Sequence, residues 1–159
     1  MAVAGIIAAA VGVMLLIVVG YVVVGATITT AETVTNAQKD VTLQNEMRLG
    51  TAIVITDPQQ SSSNITSNVT NSGTEIISDF RHMDVIVYDK DSGEYEVCTY
   101  DTAGGTAGTW NIADRYTEFI HPYSLDPGEK YQIRIMSNGN QPKWFQITTA
   151  NGIYASAIL

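Results

Sequence analysis

The pattern of hydrophobic and polar positions divides the chain near residue 31. Residues 1–31 read MAVAGIIAAAVGVMLLIVVGYVVVGATITTA and contain no Asp, Glu, Lys, Arg or His. An uncharged apolar run well beyond 18 residues predicts a membrane-spanning helix. At about 1.5 Å per residue the run would reach roughly 46 Å, more than the roughly 30 Å hydrocarbon core of a bilayer. It also lacks the basic start of a secretory signal peptide, so simple removal is not expected.

The helix is predicted to continue past the apolar run. Residues 32–49 contain no Pro or Gly, and Val34, Ala37 and Val41 follow one another at i, i+3 and i+7. That spacing gives one apolar stripe on an otherwise polar helix. Gly50 is a suitable C-terminal stop. The pattern therefore predicts a single helix over residues 1–50, roughly 70 Å long, which exceeds what a simple anchor requires.

Small residues recur along the apolar run, where other helices could approach closely. Gly and Ala are also common in membrane helices generally, but the excess length of this helix favours packing against other helices. Because each Val, Ile or Leu side chain gains about 1.5–3 kcal/mol on leaving water, lipid or a bundle of similar helices must cover this surface. The residues predicted to pack in such a helical core are Gly5, Gly12, Leu15, Leu16, Val18, Gly20, Val23 and Gly25.

From Thr51 onward the hydrophobic period changes to two. In residues 130–136 (KYQIRIM), Tyr131, Ile133 and Ile135 share one face, which indicates a sheet with one buried face and one mostly wet face. Strands are predicted at residues 51–56, 75–80, 83–89, 94–100, 130–136, 144–148 and 153–159. Turn sequences lie at residues 71–73, 91–93, 126–128 and 138–140.

Seven or more short strands in this length are typical of an antiparallel sandwich or barrel. The predicted fold class is α+β, with a long N-terminal hydrophobic helix (residues 1–50) followed by an all-β antiparallel, immunoglobulin-like sandwich or barrel (residues 51–159). The helix would anchor the chain and present the β domain outside the membrane.

The charge balance is acidic and confined to the second part of the chain. Lys and Arg total 8 and Asp and Glu total 16, so the formal net charge of −8 falls entirely after residue 31. A nucleic-acid partner is not expected, since it would require clustered Lys and Arg. An acidic surface suits copies that repel each other mildly until close packing takes over.

Candidate chemistry is sparse, and no enzyme activity, cofactor or metal site is predicted. The single cysteine, Cys98, excludes an intrachain disulfide and is interpreted as a small buried hydrophobe, with a reactive or intermolecular role as the alternative. His82 and His121 lack metal-ligand spacing. No nucleophile elbow, phosphate loop or dinucleotide motif occurs.

Two polar segments have a structural interpretation with a functional alternative. Residues 89–94 (DKDSGE) resemble the start of a calcium loop but lack its spacing and closing Glu, so a hairpin turn is predicted and a metal near Asp89 and Asp91 is left open. The Gly-rich residues 102–110 lie between strands and are interpreted as a flexible surface loop. Asn64 and Asn68 begin two N-glycosylation triplets in one polar stretch, which makes them candidate glycan acceptors.

The helix resembles a known family. Residues 1–50, with the run VAGIIAAAVGVMLLIVVGYVVVGA, resemble the N-terminal helix of archaellins, the filament subunits of the archaeal motility organelle, and of related type IV pilin-like proteins. TAIVITD and NVTNSGTEI look like the opening strands of the archaellin β-domain. The resemblance implies a subunit that inserts in the cytoplasmic membrane and then polymerises with itself into an extracellular filament for motility or adhesion. It also implies a prepilin-type peptidase that removes a short basic leader, and an assembly ATPase with its platform.

Two other functions remain open at this point. The sequence shows no basic leader before Met1, so either the chain starts at the mature end or Met1 is the initiator. The second case favours a membrane-anchored accessory or stator protein of the same organelle, which links the motor to the cell envelope. A surface-anchored ligand-binding module is the third and weakest hypothesis.

Overall fold

The computed structural model describes residues 2–116, 118, 120–139 and 141–159. The chain divides into two compact units, Met1–Leu43 and Gln44–Leu159. The first consists of one helix, and the second contains the last turns of that helix and all of the strands.

A single helix, α1, extends over Ala2–Gly50, as the sequence predicts. No Pro precedes Pro58, so nothing interrupts the backbone hydrogen bonds of this segment. At its end the Thr51 N–H and hydroxyl both donate to the Met47 carbonyl, at 3.0 and 2.7 Å. The positive charge of Arg48 in the last turn interacts favourably with the negative end of the helix dipole. The helix therefore ends at Gly50 with its terminal carbonyls partly satisfied.

Eight strands follow the helix in the part of the chain that the structure describes. They form β1 (Ile53–Ser61), β2 (Asn64–Asn71), β3 (Asp84–Asp89), β4 (Tyr95–Tyr100), β5 (Thr109–Arg115), β6 (Lys130–Met136), β7 (Pro142–Thr148) and β8 (Tyr154–Ile158). A short 3₁₀ helix, Phe80–His82, precedes β3.

The strands are ordered β1-β2-β6-β5-β4-β3-β7-β8. The halves β1-β2-β6-β5 and β4-β3-β7-β8 face each other, and β1 lies close to β8 without a described ladder between them, so the sheet nearly closes. The predicted α+β class with a sandwich or barrel is confirmed. One feature departs from all-antiparallel pairing among the described strands: β4 and β5 pair in parallel through Thr99–Thr109 and Tyr100–Trp110.

The core lies between the two halves and follows the predicted alternation. Tyr131, Ile133 and Ile135 are buried, and so are Val85 and Val87 on the facing half. Within the described chain, no buried hydrophobic residue precedes Ile53, so the core is complete without the helix of the first unit. The largest buried apolar side chains are Trp110, Tyr131 and Phe145.

The predicted strand at residues 75–80 is wrong. Ile77 forms only an isolated bridge to Leu125, and Phe80 opens the 3₁₀ helix. Both side chains are buried, but their spacing of three does not fit a strand. The carbonyl of Glu75 is taken by the side chain of Asn71 at 2.7 Å. The segment is therefore a loop whose two buried side chains pack into the core.

Hydrophobic periodicity missed two strands, for different reasons. In β2 the outward positions are Asn and Thr, so Ile65 and Val69 give only a weak alternation of apolar and polar residues. The predicted surface loop at residues 102–110 is correspondingly too long, because β5 begins at Thr109 and Trp110 is 2% exposed. The burial of Trp110 holds the start of β5 in the sheet. The glycines that precede it predicted a loop instead of a strand.

Candidate anchor helix and polar clusters

The uncharged part of α1 is exposed along its length. Ile6, Leu16 and Tyr21 are 70%, 74% and 83% exposed, respectively. By length and composition the segment Val3–Gly50 contains a stretch able to cross a membrane. Such a surface requires lipid or another protein to cover it, because each large aliphatic side chain favours leaving water by about 1.5–3 kcal/mol.

The residues predicted to pack in a helical core are exposed on the surface of α1. Leu15, Leu16, Val18 and Val23 are between 55% and 74% exposed. A Cβ added at Gly5, Gly12, Gly20 or Gly25 would meet no described atom within 4 Å. Their role in helix packing stays a prediction, and the structure adds that the positions are open.

Threonine hydroxyls along α1 are satisfied within the helix. Thr27, Thr30 and Thr33 donate to the carbonyls of the residues four positions earlier, at 2.8–2.9 Å. A hydroxyl bonded in this way can enter apolar surroundings at little cost. The segment that follows the most apolar run is therefore compatible with lipid headgroups or with a neighbouring helix.

A polar clamp fixes the end of α1 to the β unit. The N–H groups of residues 74 and 75 donate to the Gly50 carbonyl at 2.7 and 3.1 Å, and those of residues 72 and 73 donate to the Ala52 carbonyl at 2.9 and 3.1 Å. A side chain at Gly73 would collide with the backbone of Gly50 and Ala52. Only glycine fits at this close approach, which explains the Gly of the predicted turn.

Asn71 organises this clamp from inside the fold. Its side chain is fully buried and donates to the carbonyls of Glu75 (2.7 Å) and Leu125 (2.9 Å), while its Oδ1 accepts from the Gly73 N–H (3.0 Å). An amide supplies this combination of two donors and an acceptor. The sequence indicated only a turn here, because a buried Asn carries no hydrophobic signal.

Asp89 holds a turn through its carboxylate oxygens. Its Oδ1 accepts from the N–H groups of Asp91 (2.9 Å) and Ser92 (3.0 Å), and its Oδ2 accepts from the Gln141 N–H (2.7 Å). The Ser92 N–H is the largest cause of the lowered pKa of Asp89. The hairpin turn is thus present, and no cluster of three or more His, Cys, Asp or Glu occurs in the described residues.

A second carboxylate fastens the same end of the domain. Glu96 accepts from the Ser137 hydroxyl (2.8 Å) and from the N–H (2.9 Å) and side-chain amide of Asn138. Together with Asp89 it borders a cleft of about 360 Å³. Hydrogen-bond donors of the chain itself already engage these carboxylates. The two side chains therefore connect their own strands and turns to the residues that precede β7.

A third polar group joins the loop before β6. Buried Asp126 accepts from the His121 N–H and its ring Nδ1, both at 2.9 Å, and these bonds lower the pKa of Asp126. The Asp126 N–H donates to buried Glu129 at 2.9 Å. The other histidine, His82, pairs with exposed Asp79 at 2.7 Å. Each histidine therefore pairs with an aspartate close to it in the sequence.

Cys98 is buried at 1% exposure in the core. Burial, with a smaller contribution from the charge of Glu96, raises the pKa of its thiol to about 12. The thiolate is therefore not formed near neutral pH, which supports the interpretation of Cys98 as a small core residue over a reactive one.

The two candidate glycan acceptors lie on the outward face of β2 and are half-buried. Asn68 donates to Asp57 at 3.1 Å, whereas Asn64 follows the turn at residues 62–63 directly. Glycosylation of Asn64 and Asn68 stays a prediction.

Comparison with known proteins identifies the fold. No family model and no curated protein matches the sequence. Among solved structures, the archaellum periplasmic stator protein FlaG from Sulfolobus acidocaldarius is similar with a TM-score of 0.52 and 21% identity, covering 69% of this chain and 99% of that chain. A chain in the archaellum periplasmic stator protein complex FlaF and FlaG from the same organism is similar with a TM-score of 0.50 and 22% identity, covering 67% and 87%. At this level of identity the likeness establishes a shared β fold.

Proposed function

We propose that this chain is a membrane-anchored accessory protein of an archaellum-type organelle, with its β unit held outside the membrane as part of a stator. The observation that carries the proposal is the joining of an exposed apolar helix to a β unit that has the fold of the archaellum periplasmic stator protein FlaG. The accessory function thereby takes precedence over the filament subunit favoured by the sequence.

The length of the helix supports an anchor with a stalk. About 20 residues cross the hydrocarbon core, and α1 contains 49. The remainder carries the polar residues that begin at Glu32 and would emerge into water. A stator must resist force between membrane and envelope, and the clamp between residues 50–52 and 72–75 ties the end of the helix to the sheet at several points.

The proposal assigns no reaction and no cofactor to this chain. The buried carboxylates Asp89, Asp126 and Glu129 accept hydrogen bonds from main-chain N–H groups or a side chain of their own loops. These bonds account for the presence of the carboxylates in structural terms.

The filament subunit is the second candidate function. It is favoured by the open glycines of α1, whose spacing would let copies of the helix pack closely. In that case the helix would leave the membrane for the core of an extracellular polymer, after cleavage by a prepilin-type peptidase and with an assembly ATPase.

Immunogold electron microscopy of native cells tests the proposal. An epitope inserted in the loop at residues 102–107 avoids every strand. We expect label at the membrane where filaments emerge and none along their length. Label spaced regularly along the filaments would overturn the accessory function in favour of the subunit, and label spread over a cell surface without organelles would overturn both.

A further inference from the structure

The nearly closed sheet has a seam between its two edge strands, β1 and β8. The two strands lie close together, but no ladder joins them in the part of the chain that the structure describes. Strand β8 therefore pairs with β7 alone, from Tyr154 opposite Thr148 to Ile158 opposite Trp144. Closure of the seam thus depends on side chains rather than on main-chain pairing of these two strands.

Apolar packing contributes little to holding β8 in place. Residues 150–159, all of which the structure describes, include none that is fully buried. The apolar side chains that this segment adds to the core, those of Ala155, Ala157 and Leu159, are only partly buried. Because a segment with few buried apolar contacts opens locally at low cost, β8 is expected to open while the rest of the sheet stays closed.

A side-chain hydrogen bond fastens the seam at the end where α1 enters the β unit. Asn151 lies in the turn between β7 and β8, and its Nδ2 donates to Thr51 Oγ1 at 3.0 Å. Thr51 is 4% exposed and lies two residues before the start of β1. The bond therefore joins the start of one edge strand to the turn that leads into the other.

The turn itself fixes the position of Asn151. The Gly152 N–H donates to the Thr149 carbonyl, and the Thr149 N–H donates to the Ile153 carbonyl, both at 2.8 Å. Gly152 has a φ of 78°, which glycine adopts without steric cost. A cavity of about 190 Å³ lies between this turn, Met47 and residues 75–79. Close packing is therefore incomplete where the turn meets the helix end, and the hydrogen bond from Asn151 supplies a direct link.

Thr51 also belongs to the end of α1. Its hydroxyl donates to the Met47 carbonyl at 2.7 Å, and its N–H donates to the same carbonyl at 3.0 Å. A hydroxyl can donate one hydrogen bond and accept others, so a single oxygen serves both the helix and Asn151. A distortion of the last helical turn would move this acceptor away from Asn151.

We infer that Asn151 and Thr51 form a latch that keeps β8 closed against β1 and makes this closure sensitive to the last turn of α1. While that turn keeps its geometry, the Thr51 hydroxyl stays within reach of Asn151 and the seam is closed. When the turn is distorted, the latch opens and β8 is released locally. The inference concerns the fold of the chain and does not depend on the stator function.

Hydrogen–deuterium exchange of the full chain in mild detergent, read by mass spectrometry, tests the latch. Asn151→Ala should raise the exchange rate of residues 153–159 about fivefold, the usual effect of losing one hydrogen bond, and leave residues 84–89 of β3 unchanged. Thr51→Val removes the acceptor without altering the turn and should give the same local increase. Thr51→Ser, which keeps the hydroxyl, and Ser156→Ala, which lies on β8 outside the latch, are the matched controls and should exchange as the wild type does.

A double variant distinguishes a latch from two separate effects. Because each single substitution breaks the same bond, combining Asn151→Ala with Thr51→Val should leave the exchange rate of residues 153–159 within about twofold of either single variant. Effects that multiply in the double variant would show that the two side chains act separately, and would overturn the inference. A uniform rise across all strands, or exchange as in the wild type for both single variants, would overturn it as well.

Discussion

At the scale of single residues, the β unit is held together by buried polar groups that satisfy main-chain atoms of loops. Asn71, Asp89 and Asp126 each accept or donate several short hydrogen bonds within their own part of the fold. An unsatisfied buried polar group costs about 1–3 kcal/mol. Substitutions at these positions therefore test these hydrogen bonds directly.

Asn71→Asp should strongly destabilise the β unit. The change keeps the shape of the side chain but turns its two donors toward Glu75 and Leu125 into an acceptor facing two carbonyls. We expect the free energy of unfolding to fall by more than about 3 kcal/mol, as measured by urea denaturation followed by circular dichroism. Asn36→Asp on exposed helix surface is the control and should have little effect. A loss below about 1 kcal/mol for Asn71→Asp would show that its hydrogen bonds are not used.

Acid should weaken the turn at Asp89. A carboxyl group with a pKa lowered on folding contributes stability above its ordinary value of 3.8, and this contribution is lost as the pH falls through the lowered folded value. Unfolding of the wild type should therefore become easier below about pH 4, and Asp89→Asn should flatten part of that dependence. Asp91→Asn, with an exposed side chain in the same turn, is the matched control. Thermal unfolding at pH 3 to 7 measures this, and parallel curves for Asp89→Asn and wild type would contradict it.

At the scale of elements, the sequence predicted the segments with a clear local hydrophobic pattern. The apolar run and the stripe of Val34 and Val41 indicated α1 through to Gly50, and the alternation in residues 130–136 indicated β6. The polar outward face of β2 and the glycines before β5 hid those strands, because their positions depend on non-local pairing with β6. The parallel contact of β4 with β5 has no local sequence signal.

Gly73→Ala tests the clamp between the helix end and the sheet. A Cβ at this position would meet the main chain of Gly50 and Ala52, which cannot move without breaking the hydrogen bonds of the clamp. We expect a loss of about 1–3 kcal/mol in the free energy of unfolding, the usual cost of overpacking. Ser72→Ala, on the exposed neighbour, is the control. Equal stability of the two variants would contradict the close approach of position 73 to this main chain.

Gly12→Leu separates an anchor from a packed filament helix. Position 12 is open in the described chain, and Leu is well tolerated in lipid. If α1 only anchors the β unit, the variant should remain in the membrane fraction and support swimming as the wild type does. Val18→Asp is the contrasting change, since a charge at the centre of a span costs about 2.5–3.5 kcal/mol and should reduce membrane insertion. Loss of swimming in Gly12→Leu with normal insertion would indicate close helix packing instead.

At the scale of the whole molecule, the sequence predicted the architecture better than the function. The uncharged run predicted an anchor and the alternation predicted a β domain, and both follow from local hydrophobic patterns. The choice between accessory protein and filament subunit depends on which surface contacts another molecule. The apolar surface of α1 fits either case, because lipid and neighbouring helices are equally apolar. The pairing of Tyr88 with Tyr95 was missed because the two residues come together only through cross-strand register.

Fractionation of native cells tests the central claim most directly. Surface appendages would be sheared off, purified and quantified by mass spectrometry against the washed membrane fraction. The account predicts that this chain stays in the membrane fraction while another protein makes up the fibres. If this chain were instead the dominant protein of the fibres, it would be the filament subunit, and the assignment to the stator would be wrong.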